Sequence, residues 1–220
     1  MKKETTNFTL LYYSNNTQDI NEIADVLENN FERITGLLGV VPSGKTRVHI
    51  YASQSDFHQA IGRSDAKAWV VGTVMAGEIH MVSPSNPGPE SDRDGIMSVA
   101  IHEFVHIVAN KLSLHTTDNY PFLAEGLATY LAGQVCQLDL DLDVPSVDTI
   151  ISSCESDDVY QVGFVFMQFI ANAFGNDGLV ALYKDPDAFV RNNPGLDEIW
   201  LSSTKKTISP PVGGDCLTSY

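Results

Sequence analysis

No stretch constrains this chain more than Ile101-His102-Glu103-Phe104-Val105-His106. Apolar residues at Ile96, Val99, Ala100, Phe104, Ile107 and Val108 recur at three- and four-residue spacing and predict a helix over 96–112. On a helix, residues four apart stand one above the other, so His102 and His106 can offer two imidazole nitrogens to one metal ion. Glu103 lies beside them as a carboxylate able to take a proton from water. A buried structural histidine explains His102 or His106 singly, but not both with Glu103 between them. Whatever the chain folds into must therefore bury one side of this helix and keep another open to a ligand.

Two histidines are too few for a catalytic zinc ion, which takes three protein ligands and keeps a fourth position open. The extended pattern with a third histidine needs Gly and His at positions held by Ala109 and Leu112, and fails. His115 comes three residues later, in a polar connection over Ser113–Tyr120 that gives it no fixed geometry. The remaining option is a glutamate on the next helix, which Pro121 opens as a first-turn proline and Gly133 closes. Glu125, 19 residues after His106, is the lone carboxylate in Pro121-Phe122-Leu123-Ala124-Glu125-Gly126-Leu127-Ala128-Thr129-Tyr130. An unpaired buried carboxylate is costly, and metal coordination removes the cost; the alternative is that Glu125 faces water on a surface helix. Thr129, one turn on, either supports Glu125 or packs.

Upstream, Phe8–Tyr13 and Arg47–Tyr51 read as strands, with an amphipathic helix over Thr17–Leu38 and a short helix over Ser53–Ile61, capped by Ser53 or Ser55. His49 and His58 fall in these elements and read as structural or surface residues. Ala68–Ser83 reads as a β segment broken by Gly72 and Gly77, a bulged hairpin or bent edge strand, followed by a proline-rich loop at 84–89. Asp92 or Asp94 then caps the motif helix.

Downstream, the alternation over Leu138–Val144 has the opening spacing of a calcium loop at Asp139, Asp141 and Asp143. It puts Val144 and Ile150 where such a loop needs Gly and Glu, so a half-exposed strand or extended loop is expected. Tyr160–Phe174 is an aromatic-rich core helix closed by Gly175. Shorter helices follow over 177–184, 186–193 and 195–202, and then an irregular tail over 207–220.

The two stretches His102–His106 and Phe122–Tyr130 resemble the gluzincin zinc metallopeptidases, in particular the small peptidase-MA-like group with its leucine-x-glutamate-glycine signature. The likeness extends over most of the chain, through the strand-helix-strand unit of residues 8–51, the strand at Gly77–Ser83, the helix beginning Tyr160-Gln161-Val162-Gly163-Phe164 and the terminal Pro194–Trp200. It implies an α+β, zincin-like fold, a thermolysin-like minimal catalytic domain. A mixed N-terminal sheet would lay an edge strand over the motif helix, and the C-terminal part would be helical. Residues 1–112 and 113–220 would be two subdomains of one catalytic unit.

The resemblance further implies one zinc ion held by His102, His106 and Glu125, with Glu103 as general base and Tyr160 as oxyanion donor. Tyr160 reads equally as the first aromatic of a core helix. Ala76–Val82 would be the edge strand that pairs with an extended peptide, with Gly77 and Glu78 contacting substrate. Glu78 matches the amino-terminus-binding glutamate of related aminopeptidases only in part, because Ile79 follows where those enzymes carry asparagine; this favours an endopeptidase. The competing classes are a catalytically silent zincin used for interaction and a non-peptidase zinc hydrolase.

A net charge of −15 argues against nucleic acid and anionic lipid as partners; a peptide or protein substrate is what the resemblance implies. The N-terminus lacks a signal-peptide core, so the chain reads as cytoplasmic as it stands, or secreted if a leader has been removed. Cys136, Cys154 and Cys216 are too few and scattered for a disulfide framework.

Overall fold

The computed structural model describes residues 1–13, 17–136, 144–152 and 158–207. The alternating segment over 138–143, Cys154, Cys216 and the tail beyond 207 lie outside these. The architecture is mixed α and β, and the described residues divide into two compact units, within 1–111 and 112–207. Among the described residues no helix is long and apolar enough to cross a membrane.

The first unit is built on a five-stranded sheet in the order β1-β2-β3-β5-β4. Its strands are β1 (Lys2–Glu4), β2 (Phe8–Tyr12), β3 (Thr46–Tyr51), β4 (Gly72–Met75) and β5 (Glu78–Val82). The centre is parallel, β2 with β3 and β3 with β5, and both outer strands are antiparallel. Register sets Leu10 against Val48 and Val48 against Ile79, and all three are fully buried. The apolar positions of the strands therefore form one continuous face.

Helices α1 (Thr17–Leu38) and α3 (Arg93–Leu112) cover that face. Phe8 of β2 meets Phe104 of α3 edge-on at 5.0 Å between ring centroids and Phe31 of α1 at 5.9 Å. Phe31 stacks on Phe104 at 5.6 Å. This aromatic triad fixes the inward side of the motif helix, since Phe104 is the residue that follows Glu103. On α2 (Gln54–Ala60), Ser53 is the cap, accepting from the Asp56 amide, and His58 Nε2 bonds the Val70 carbonyl at 2.8 Å as a structural histidine.

The hairpin corrects one expectation. Ala76 and Gly77 both have positive φ and form the tight turn between β4 and β5. The segment 76–82 is therefore not an edge strand, because β5 is paired on both sides, and the edge is β4. Continuous burial at Ile79, His80, Met81 and Val82 is what an interior strand requires.

The start of α3 is pinned by a buried carboxylate. Asp19 of α1 is fully buried and accepts hydrogen bonds from Ser83 Oγ at 2.5 Å, Ser85 Oγ at 2.9 Å and the Ser85 amide at 3.2 Å. It also takes Arg93 Nη1 at 2.9 Å, while Arg93 Nη2 reaches Glu22. Asp92 caps the helix, accepting from the Gly95 amide at 2.7 Å.

In the second unit, α4 (Leu114–Asn119) replaces the expected polar connection. Ser113 caps it through the Thr116 amide, and Thr116 Oγ1 donates to the Tyr183 carbonyl at 2.6 Å. One is a local cap and the other a bond to a residue far along the chain, and a polarity pattern reveals neither. Helices α5 (Pro121–Ala132) and α7 (Val159–Lys184) cross closely at Gly126 and Gly163. A Cβ built on Gly126 would lie 2.4 Å from the Gly163 backbone, and one on Gly163 would lie 2.4 Å from the Phe122 carbonyl. Gly175 breaks α7 at φ 66°. Short α6 (Val147–Ile150), α8 (Pro186–Asn192) and α9 (Leu196–Thr207) complete the unit, with Trp200 fully buried and donating to the Pro145 carbonyl.

Asp19→Asn is expected to cost about 3–5 kcal/mol in urea unfolding near neutral pH, because Arg93 and two serine donors lose their ionised acceptor. Burial alone would raise the Asp19 pKa, but bonds from Ser83, Ser85 and Arg93 outweigh it and hold the carboxyl below its ordinary value. The folded pKa is thus below the unfolded one. The wild-type advantage over Asp19→Asn should be full above about pH 4 and shrink as pH falls through the folded pKa.

Candidate metal centre

His102, Glu103 and His106 share α3, and the packing of that helix decides where each points. Ala100, Phe104 and Val108 form the fully buried stripe. Successive residues turn by about 100°, so His102 and His106 fall on the side of the helix opposite that stripe, with Glu103 about midway between the two. His102 and Glu103 are 7 % and 6 % exposed, and His106 is half-buried. The imidazoles approach edge to face, with the two Nε2 atoms 3.1 Å apart.

That separation suits a shared ion. Two nitrogens bound tetrahedrally to one zinc at 2.0–2.1 Å stand about 3.3 Å from each other. The observed distance is within a few tenths of an ångström of that value.

Glu103 is roofed by the edge strand. A Cβ built on Gly72 of β4 would lie 2.4 Å from Val99 Cγ1 and 3.0 Å from Glu103 Oε1. Only a residue without a side chain lets the strand approach α3 this closely. Gly72 was expected merely to interrupt a strand; it forms the ceiling over the carboxylate.

Within the second unit, Glu125 is half-buried on α5 among the buried Leu123, Ala124, Gly126, Leu127 and Ala128. Tyr160 is half-buried on α7, one turn before Gly163. His115 lies exposed on α4, its ring nitrogen 3.1 Å from Asn119.

Among the described residues, two buried side-chain oxygens have no hydrogen-bond partner, Asn110 Oδ1 and Thr129 Oγ1. Each unmet bond costs about 1–3 kcal/mol. Asn110 stands one turn after His106 and Thr129 one turn after Glu125, positions from which each could steady a ligand.

Gly77 and Glu78 line a cavity of about 310 Å³ together with Arg47, Ile107 and Lys111. Glu78 itself is engaged, accepting from Arg47 Nη1 at 2.9 Å and bonded to His49 Nε2 at 2.7 Å. The His49 hydrogen bond is the largest influence on the carboxyl and, with Arg47, holds its pKa down against partial burial. His49 also stacks on His80 of β5 at 4.4 Å with the rings 2° from parallel, and His80 Nδ1 is bonded to Tyr51 Oη at 2.9 Å. This group was missed in the sequence, where His49 read as a structural or surface residue. The alternation in Arg47-Val48-His49-Ile50-Tyr51 and Glu78-Ile79-His80 held the signal, but the pairing of two strands 30 residues apart did not.

No protein-family model and no curated protein matches this chain.

Replacing Gly72 by alanine should cost about 1–3 kcal/mol in denaturant unfolding, because the new methyl overlaps Val99 Cγ1. The double variant Gly72→Ala/Val99→Ala should recover part of that loss. Additive losses in a double-mutant cycle would show that the clash is not the cause.

Proposed function

We propose that this chain is a zinc-dependent metallopeptidase of zincin-like fold that cleaves within extended peptides. The observation that carries the proposal is the pair of Nε2 atoms 3.1 Å apart on one helix, with the buried Glu103 carboxylate on the same helix beneath an edge strand. His102, His106 and Glu125 would hold the ion. Two imidazoles and a carboxylate are a donor set that zinc accepts, with a position left open.

Zinc, when bound, polarises a carbonyl oxygen and lowers the pKa of water to about 7. The remaining chemistry falls to the chain. Glu103 accepts the proton of the attacking water on a carboxylate oxygen and delivers it to the leaving amine nitrogen. Its low exposure and the Gly72 ceiling restrict bulk water at that carboxylate. Tyr160 donates its phenolic proton in a hydrogen bond to the developing oxyanion.

Substrate alignment falls to β4. It stands last in the sheet order and runs antiparallel to β5, so a peptide chain can add beside it through backbone hydrogen bonds. That role belongs to 72–75 and not to 76–82. Both Glu78 oxygens are already bonded, one to Arg47 and one to His49, so an incoming amino terminus would have to displace them. This supports endopeptidase over aminopeptidase action.

A peptide-library digest should show cleavage by the zinc-loaded wild type and a loss of about 10²- to 10⁴-fold in kcat for Glu103→Ala with zinc still bound. Glu125→Ala should lose zinc affinity. A zinc-loaded wild type that cleaves no peptide would sink the peptidase reading, and Glu125→Ala with unchanged affinity would remove that residue from the ligand set.

A further inference from the structure

We propose that His49, Glu78 and His80 form a second site for a divalent late first-row transition ion such as zinc, on the sheet face turned away from the motif helix. The face follows from register. Val48, Ile50, Ile79 and Met81 are fully buried on the side that Phe8 shares with Phe104 of α3. Side chains alternate along a strand, so His49, Glu78 and His80 project from the other side. His49 and His80 are direct partners across the parallel β3–β5 pair. The site is thus separate from the one proposed for His102 and His106, and it uses none of the same atoms.

One donor atom from each of the three residues lies within 4.8 Å of the other two. Two imidazoles and one carboxylate suit zinc, nickel or copper better than magnesium or calcium, which want oxygen. Arg47 takes Oε1 of Glu78 and leaves Oε2, now bonded to His49 Nε2 at 2.7 Å, as a ligand oxygen.

Tyr51 Oη sits 2.9 Å from His80 Nδ1, the outer bond that orients a metal-binding imidazole and leaves Nε2 for the ion. His49 and Glu78 side chains are 15 % and 27 % exposed and His80 is 6 % exposed, so the group is shielded yet reachable. The imidazoles are parallel to within 2°. Cofacial rings cannot aim two lone pairs at one point, so loading must tilt one ring out of the stack. His49, the more exposed and hydrogen-bonded through Nε2 to Glu78, is the ring that turns.

The test is zinc binding to the tag-free full chain by equilibrium dialysis with elemental analysis, read beside histidine ring NMR signals. The His102→Ala/His106→Ala variant should keep one zinc per chain, with the His49 and His80 signals shifted on loading. Adding His80→Ala should abolish that binding, and Glu78→Gln, which keeps the shape of the side chain, should weaken it at least tenfold. The far-ultraviolet circular dichroism of each variant should match the wild type. A His102→Ala/His106→Ala protein that binds no zinc would overturn the proposal, as would zinc retained after His80→Ala. In an otherwise wild-type chain, His80→Ala should remove one zinc and leave peptide cleavage intact, so the two sites fail separately.

Discussion

The first unit depends on one buried charge. Asp19 is fully buried, and an isolated carboxylate there would cost several kcal/mol. Its four donors come from three residues beyond β5: Ser83, Ser85 and Arg93. Those residues bracket the proline-rich loop at both ends, so a single carboxylate on α1 fixes where β5 stops and where α3 starts. The rest of that interface is aromatic and aliphatic, and apolar packing tolerates sliding in a way that a satisfied charge does not. Asp19 thus sets the register of the motif helix along the sheet.

From that register the arrangement around Glu103 follows. Phe104 enters the triad with Phe8 and Phe31, and its position fixes the rotation of α3 about its own axis. With rotation and register both set, Glu103 falls under Gly72 and the two imidazoles meet at Nε2. Position along the helix is governed by a salt bridge at its start, and orientation by an aromatic residue inside the motif. The residues proposed for the chemistry are thus placed by neighbours outside the proposed ligand set.

The helices were legible because their signals are local. Thr17–Leu38 has its bounds in the sequence, from the apolar stripe Ile20, Ile23, Leu27 and Ile34 and the following Gly39. The same holds for Pro121–Ala132 between its proline and its glycine. Short β1 was missed because three residues, Lys2 to Glu4, carry no period. The segment around 114–119 was read as a loop because its helix rests on a serine cap and on the bond from Thr116 to Tyr183, a partner 67 residues away. The edge strand was assigned one strand too late for a related reason: which arm of a hairpin lies inside a sheet depends on β3, not on the hairpin.

The two clusters of metal-type donors show the same division in chemical form. A spacing of four on a helix brings two imidazoles together whatever else the chain does, so His102 and His106 announce themselves from six consecutive residues. Donors on strands converge only when a particular pair of strands adopts a particular register. His49 and His80 meet because β3 and β5 run parallel with Val48 opposite Ile79, and a shift of one residue would turn one of them into the core. The apolar residues flanking them prevent that shift, since Val48, Ile50, Ile79 and Met81 are all fully buried. The hydrophobic core that hides half of each strand is therefore what assembles His49, Glu78 and His80 on the other half, and polar chemistry on that face is specified by the apolar residues between its members.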